Sequence, residues 1–191
     1  MDRFSQTKLV NPESVLEHHG WVAFTAFALA HKLNGFNESF DLYEVLARAI
    51  VHDIDEVGTG DIPRPTKYAN DSVHREIDLI ASAYVHELTE ELGLPELKTH
   101  WANAKYDRSG SIIALCDGLS VLFKVWQEAV LFGNRSIIDH AGPVREMLER
   151  KFTELNKFIH NATAYEFLIT FRSEAMELCD EIEMLEYKGE Y

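Results

Sequence analysis

One acid stands in the most apolar stretch of this chain, and it limits what the chain can fold into. Residues Ile112 to Phe123 (Ile-Ile-Ala-Leu-Cys-Asp-Gly-Leu-Ser-Val-Leu-Phe) hold a single charge, Asp117, in twelve positions. A run this apolar belongs in a core, and an ionised carboxylate carried in with it costs several kcal/mol unless a cation or a set of donors meets it. Two partners stay open for Asp117: a Lys or Arg from a distant part of the chain, or a metal ion. Gly118, the next residue, gives up about 1 kcal/mol of helix propensity, which fits a place where another group approaches the backbone closely. The run falls short of the roughly 18–20 residues that span a bilayer, so it predicts a core helix and no membrane association.

The remaining pattern is helical. Val15, Val22, Ala26, Leu29 and Leu33 recur at three-, four- and seven-residue spacings and Gly35 stops them, the signature of an amphipathic helix. Asp41 is placed to cap a second helix from Leu42 to about His52, with Glu44 at the capping-box position. Gly58-Thr59-Gly60-Asp61-Ile62-Pro63-Arg64-Pro65 reads as an ordered loop because Gly and Pro break regular helix. A third helix is expected from about Asp71 to Leu92, ending at Gly93, and Pro95 opens a short one to about Ala104. Asp107 or Ser109 is placed to cap the long apolar helix, which stops near Gly133-Asn134. Amphipathic patterns return from Pro143 to about Ile159 and from about Tyr165 to Tyr187. No stretch alternates in the manner of a strand, so the expected fold class is all-α, as a single domain over residues 1–191.

Charge and cysteine content narrow the function. The chain has 18 Lys+Arg against 32 Asp+Glu, a formal charge of −14. That balance, with no compensating basic stripe, counts against binding a nucleic-acid polymer, while a small phosphorylated ligand remains possible if a local cation offsets the charge. Cys116 and Cys179 lie in apolar helical contexts without CxxC spacing, which predicts inert buried thiols in a reducing compartment. The amino terminus lacks the basic-then-apolar layout of a secretory signal, and a cytoplasmic protein is expected.

Several polar residues fall on or beside apolar faces. His52 and Asp53 close the second helix, where Asp53 continues the stripe Leu42, Leu46, Ala49 and His52 the neighbouring stripe Val45, Ala49. Glu56 follows four residues after His52. His18 lies on the core-facing stripe of the first helix, and His19 is rotated about 100° from it. Glu17 either orients the His18 imidazole or caps the first turn. Two imidazoles and two carboxylates from three helices (His18, His52, Asp53 and Asp117) form a mixed nitrogen and oxygen set suited to Zn²⁺, Mn²⁺, Fe²⁺ or Co²⁺.

This order and these contexts resemble the HD-domain metal-dependent phosphohydrolases. The run from His52 to Tyr68, together with Glu17-His18 and Cys116-Asp117-Gly118-Leu119, is similar to the bacterial 5′-deoxynucleotidases of the YfbR type, which carry an HDxxEVxTGDxPxPxKY run. It is also similar to the phage dATP triphosphohydrolases called DatZ. The likeness extends over residues 3 to about 134.

The resemblance implies an HD-domain helical bundle with the metal site between helices. It implies a divalent metal (Co, Mn, Zn, Fe or Mg) on His18, His52, Asp53 and Asp117, with Glu56 as catalytic acid near the leaving oxygen. Arg3 matches a substrate-phosphate arginine, and Phe4 stands where the family has a Trp against the sugar. Asp61 matches a residue on the sugar 3′-hydroxyl or, in the triphosphohydrolase branch, on an extra metal; Lys67 is a further phosphate contact. His19 replaces the family's usual Ser. The implied substrate is a small deoxynucleotide, cleaved either as a monophosphate to deoxynucleoside and phosphate or as a triphosphate with release of tripolyphosphate. A scaffold that keeps the ligands without turnover is the third reading. The scarcity of basic residues near the motifs favours the monophosphate. The family and the apolar helices after Pro143 imply a homodimer or larger homo-oligomer, in bacterial cytoplasm or, for a phage gene, host cytoplasm.

Overall fold

The computed structural model describes residues 3–4, 7–60, 62–67 and 69–187; Asp61 lies outside the described residues. Nine α-helices follow in order among these residues, with no strand: α1 (Val15–Asn34), α2 (Leu42–Val51), α3 (Glu56–Thr59), α4 (Arg64–Lys67), α5 (Asp71–Glu91), α6 (Glu96–Ala102), α7 (Asp107–Trp126), α8 (Ala141–Asn156) and α9 (Ala162–Tyr187). A π turn, Gln127–Leu131, prolongs α7, and a 3₁₀ turn, Arg135–His140, leads into α8.

Local chemistry sets the helix starts. Ser14 and Glu17 form a reciprocal capping box at α1, which assigns Glu17 to the cap and removes it as a partner of His18. The Asp41 carboxylate accepts the Glu44 N–H at α2. At α7 the Asp107 carboxylate accepts the N–H groups of Ser109 and Gly110, so one of the two expected residues caps the first turn. The Gly/Pro segment differs from the expected loop. Two single-turn helices, α3 and α4, flank Gly60, whose φ of 82° is a left-handed conformation that glycine adopts without Cβ strain.

α7 is the spine. Ile112, Ile113, Leu115, Leu122 and Val125 are buried with Val22, Ala26 and Leu33 of α1, Val45 and Ala49 of α2, Leu148, Phe152 and Leu155 of α8, and Leu168, Cys179 and Ile182 of α9. Each fully buried Leu, Ile or Phe contributes about 1.5–3 kcal/mol. Together with its π turn, α7 makes a 25-residue helical stretch, Asp107–Leu131, that is long and apolar enough to cross a membrane, but it is largely packed inside the protein. The expectation that no run reaches spanning length is corrected to that extent: α7 owes its apolarity to neighbours on several sides. At Gly118 an added Cβ would stand 2.9 Å from Lys151 Cδ and 3.1 Å from Leu148 Cδ2. The glycine lets α8 close on α7, and this carries Lys151 beside Asp117.

Candidate metal centre

α1, α2 and α7 each deliver part of one cluster. A ligand atom from each of His18, His52, Asp53 and Asp117 lies within 4.8 Å of the others. His18 Nε2 is 3.6 Å from Asp53 Oδ2 and 3.4 Å from Asp117 Oδ1. His52 Nε2 is 3.0 Å from Asp53 Oδ2 and 3.2 Å from His18 Nε2. Both imidazoles are buried, and the two carboxylates are about one-seventh exposed, at 14% and 15%.

The donor set fits a divalent cation. His52 Nδ1 lies 2.8 Å from the Ala49 carbonyl, to which only a protonated nitrogen donates, so the neutral ring presents a bare Nε2. That lone pair faces the Asp53 carboxylate, acceptor against acceptor, an arrangement a cation between them resolves. The two aspartates also converge on each other as like charges. Burial alone raises their pKa values, but Lys105 and the neighbouring histidines hold Asp53, and Lys105, Lys151 and the His18 hydrogen bond hold Asp117, well below the usual carboxylate range.

Lys105 and Lys151 are the residues that sequence reasoning missed. Lys105 Nζ sits 3.0 Å from Asp53 Oδ1 and 2.9 Å from Asp117 Oδ2, with its side chain 36% exposed. Lys151 Nζ is 3.7 Å from Asp117 Oδ2 and 2.5 Å from the Ala114 carbonyl. The turn bearing Lys105 is clamped by Arg48 of α2, which binds Asp107 at 2.9 Å and donates to the Asn103 and Tyr106 carbonyls. Trp101 Nε1 donates to Asp55 at 2.8 Å, tying α6 to the His52-Asp53 turn. No local signal marks either lysine, because each stands in a polar stretch remote in sequence from Asp117. The scarcity of cations seen around the motifs is therefore corrected by the fold.

The substrate candidates divide. Arg3 reaches the cluster: its Nη1 is 2.7 Å from His18 Nδ1 and 3.1 Å from Glu13 Oε2. Phe4, at φ 59°, sets its ring edge-on to His140 at 6.4 Å, with the Arg3 guanidinium 5.6 Å above it. Glu56 opens α3 one turn after Asp53 and is half-buried. Lys67 ends α4, half-buried, with its backbone N–H donating to the Pro63 carbonyl at 3.0 Å. His19, expected to turn away, packs its ring 5.0 Å from that of His52, and burial pushes its pKa down to about 4.

The all-α bundle has the fold of the class of HD-domain phosphohydrolases. An HD-domain phosphohydrolase from Listeria innocua superimposes with a TM-score of 0.73, at 18% identity, over 96% of this chain and 92% of its own. A conserved hypothetical protein from Pyrococcus furiosus gives 0.64, at 19% identity, over 88% and 86%. Within that class, the family profile of YfbR-like 5′-deoxynucleotidases matches residues 1–165, and the chain belongs to that family. The match runs past residue 134, so the family likeness includes α8 and the start of α9. The 5′-deoxynucleotidase of Vibrio parahaemolyticus is 28% identical over 168 residues, 84% of this chain and 85% of its own length. YfbR of Escherichia coli is 28% identical over 167 residues, 83% and 82%.

Proposed function

We propose that the chain hydrolyses the 5′-phosphate ester of 2′-deoxynucleoside monophosphates to deoxynucleoside and phosphate. The observation that carries this reading is the convergence of His18, His52, Asp53 and Asp117 in a chain whose first 165 residues match the YfbR-like family. These four residues would hold a divalent cation, of Co, Mn, Zn, Fe or Mg type, which supplies Lewis-acid charge and acidifies a water. Arg3 clamps the phosphate through its guanidinium fork. Glu56 hands a proton to the departing 5′-oxygen as water adds to phosphorus. On the family resemblance, Phe4 and Asp61 are assigned to the sugar and Lys67 to the phosphate. The positive charge of the cation, Arg3, Lys105 and Lys151 offsets the acidic background where the substrate sits.

A second reading, dNTP hydrolysis with release of tripolyphosphate, draws support from one feature. A cavity of about 290 Å³ is bordered by Lys105, Arg150 and Lys151, cations suited to β- and γ-phosphates, together with the carboxylates of Asp107 and Glu154. Purified protein incubated with Co²⁺, Mn²⁺, Mg²⁺ or Zn²⁺ and a panel of dNMPs, NMPs and dNTPs separates the readings. Deoxynucleoside plus phosphate from dNMP supports the first, and tripolyphosphate from dNTP the second. Absence of turnover in metal-loaded protein rejects both and leaves a scaffold. His52→Ala abolishes activity; its survival there rejects the metal assignment.

A single domain, a cytoplasmic setting and a homodimer or larger assembly belong to the same reading. The core shared by α1, α2, α7, α8 and α9 supports the first. Two buried thiols, with pKa values pushed up to about 12 at Cys116 and about 11 at Cys179 by burial, support the second. The apolar positions of α8 are spent in the core (Val144, Leu148, Phe152, Leu155), whereas Tyr165, Ile169 and Met184 of α9 stay exposed and, with exposed Phe24, Phe27 and Phe123, support association. Sedimentation as a monomer rejects it.

A further inference from the structure

Granted a metal ion in the cluster, we propose that Ser120 is the positioning residue that turns His18 toward that ion, and that Arg3, in its present seat, excludes it. Both act on one atom. His18 Nδ1 lies 2.8 Å from Ser120 Oγ and 2.7 Å from Arg3 Nη1, and His18 and Ser120 are buried.

The two partners require opposite ring states. A guanidinium only donates, so with Arg3 in place the Nδ1 lone pair accepts and the ring proton of neutral His18 sits on Nε2. Nε2 is the nitrogen that faces Asp53 and Asp117, and a metal ion needs it bare. Metal binding through Nε2 places the proton on Nδ1. A hydroxyl rotates to accept that proton, so Ser120 serves the metal-loaded ring without moving. Arg3 cannot serve it, because two N–H groups would then point at each other across 2.7 Å.

Arg3 Nε is buried without a hydrogen-bond partner, and apart from His18 the guanidinium meets, among the described residues, Glu13 at 3.1 Å and the Phe4 ring at 5.6 Å, contacts that leave it able to swing off the imidazole. The ion that fills the cluster thus drives Arg3 off His18 and makes the guanidinium available to the substrate phosphate. Ligand order follows: metal first, phosphate second.

Calorimetric titration with Zn²⁺ alone tests the pair without turnover. Ser120→Ala weakens Zn²⁺ binding about tenfold or more, the scale for loss of an outer partner of a ligating histidine, while Ser120→Thr, which keeps the hydroxyl, stays within about threefold of wild type. Arg3→Ala tightens binding about threefold or more, because the competing state is removed. Ring ¹⁵N spectra of the wild type at mildly alkaline pH give a reading independent of any substitution. They show His18 Nδ1 unprotonated in metal-free protein and protonated with Zn²⁺. Equal Zn²⁺ affinity in wild type and Ser120→Ala overturns the positioning role. Weaker binding by Arg3→Ala, or a protonated Nδ1 in metal-free wild type, overturns the competition. No Zn²⁺ binding by the wild type overturns the metal reading as well.

Discussion

Asp117 and Glu128 lie eleven residues apart on one continuous helical stretch, and both are carboxylates drawn into apolar surroundings. Their company differs. Glu128 is fully buried and accepts the N–H groups of Val10 and Asn11 at 2.7 and 2.8 Å and the Asn134 amide at 2.8 Å, with Lys124 at 3.5 Å. Lys124 in turn donates to the Asn11 carbonyl. Every neighbour of Glu128 is a donor, and the site is complete as the chain alone builds it. Around Asp117 stand a second carboxylate, two imidazoles and two ammonium groups, with like charges and facing lone pairs left for another cation to reconcile. Glu128 is surrounded by hydrogen-bond donors, whereas Asp117 keeps a neighbour of its own sign beside its lysines.

Asp117→Asn applies the strongest test of this contrast. It should lower divalent-metal affinity by more than about 100-fold, beyond the range for outer partners, and abolish hydrolysis, while the melting temperature of metal-free protein changes by only a few degrees. Calorimetry, product chromatography and thermal unfolding read the three quantities. A collapsed fold would place Asp117 in the same class as Glu128.

Glu128→Ala should do the reverse. Removing an acceptor that serves three donors and a lysine costs about 3 kcal/mol of stability, read by denaturant unfolding, with metal affinity unchanged. Two of its donors, the Val10 and Asn11 N–H groups, belong to the segment that leads from Arg3 into α1, so KM rises more than kcat falls. Loss of metal binding in this variant would erase the distinction.

Lys105→Ala is expected to raise KM for a nucleotide by about tenfold or less, the equivalent of about 1.4 kcal/mol, and to affect a triphosphate more than a monophosphate if the cavity beside it takes the β- and γ-groups. Equal changes for both substrates in steady-state kinetics would remove the cavity from the second reading.

The smallest effect is in acid. Burial opposes ionisation of Glu128, but the Asn134 amide and the Val10 and Asn11 N–H groups outweigh it and lower its pKa. Glu38 is lowered likewise against its burial by the Asn161 and His160 N–H groups and by Arg108. Both folded-state values lie below the unfolded one. The stabilisation is therefore complete above about pH 4.3 and is lost as pH falls through the lower folded values. Melting temperature against pH should slope less steeply there in Glu128→Gln than in wild type.

Legibility in the sequence followed the same divide. His18, His52, Asp53 and Asp117 were readable because each interrupts an apolar stripe of known period, and polarity at a core position is a local signal. Helix ends at Asp41 and Gly35 were readable as a cap and a stop. Lys105 and Lys151 were not, since a lysine in a polar stretch carries no mark of where the fold will send it; Arg48 and Gly118 do the sending from elsewhere. The π turn was equally hidden, because Glu128-Ala129-Val130-Leu131 continues an ordinary apolar helical pattern. Ser120 lay in plain view inside the apolar run, but its hydroxyl gained a role only once α1 was packed against α7.

Arg3 also has a consequence at the bench. Anything fused ahead of Met1 begins two residues from Arg3, a separation of about 7 Å in extended chain. An oligohistidine handle placed there brings spare imidazoles that compete for the divalent metals the cluster is proposed to hold. Metal content and KM values are then comparable only between preparations that share an amino terminus.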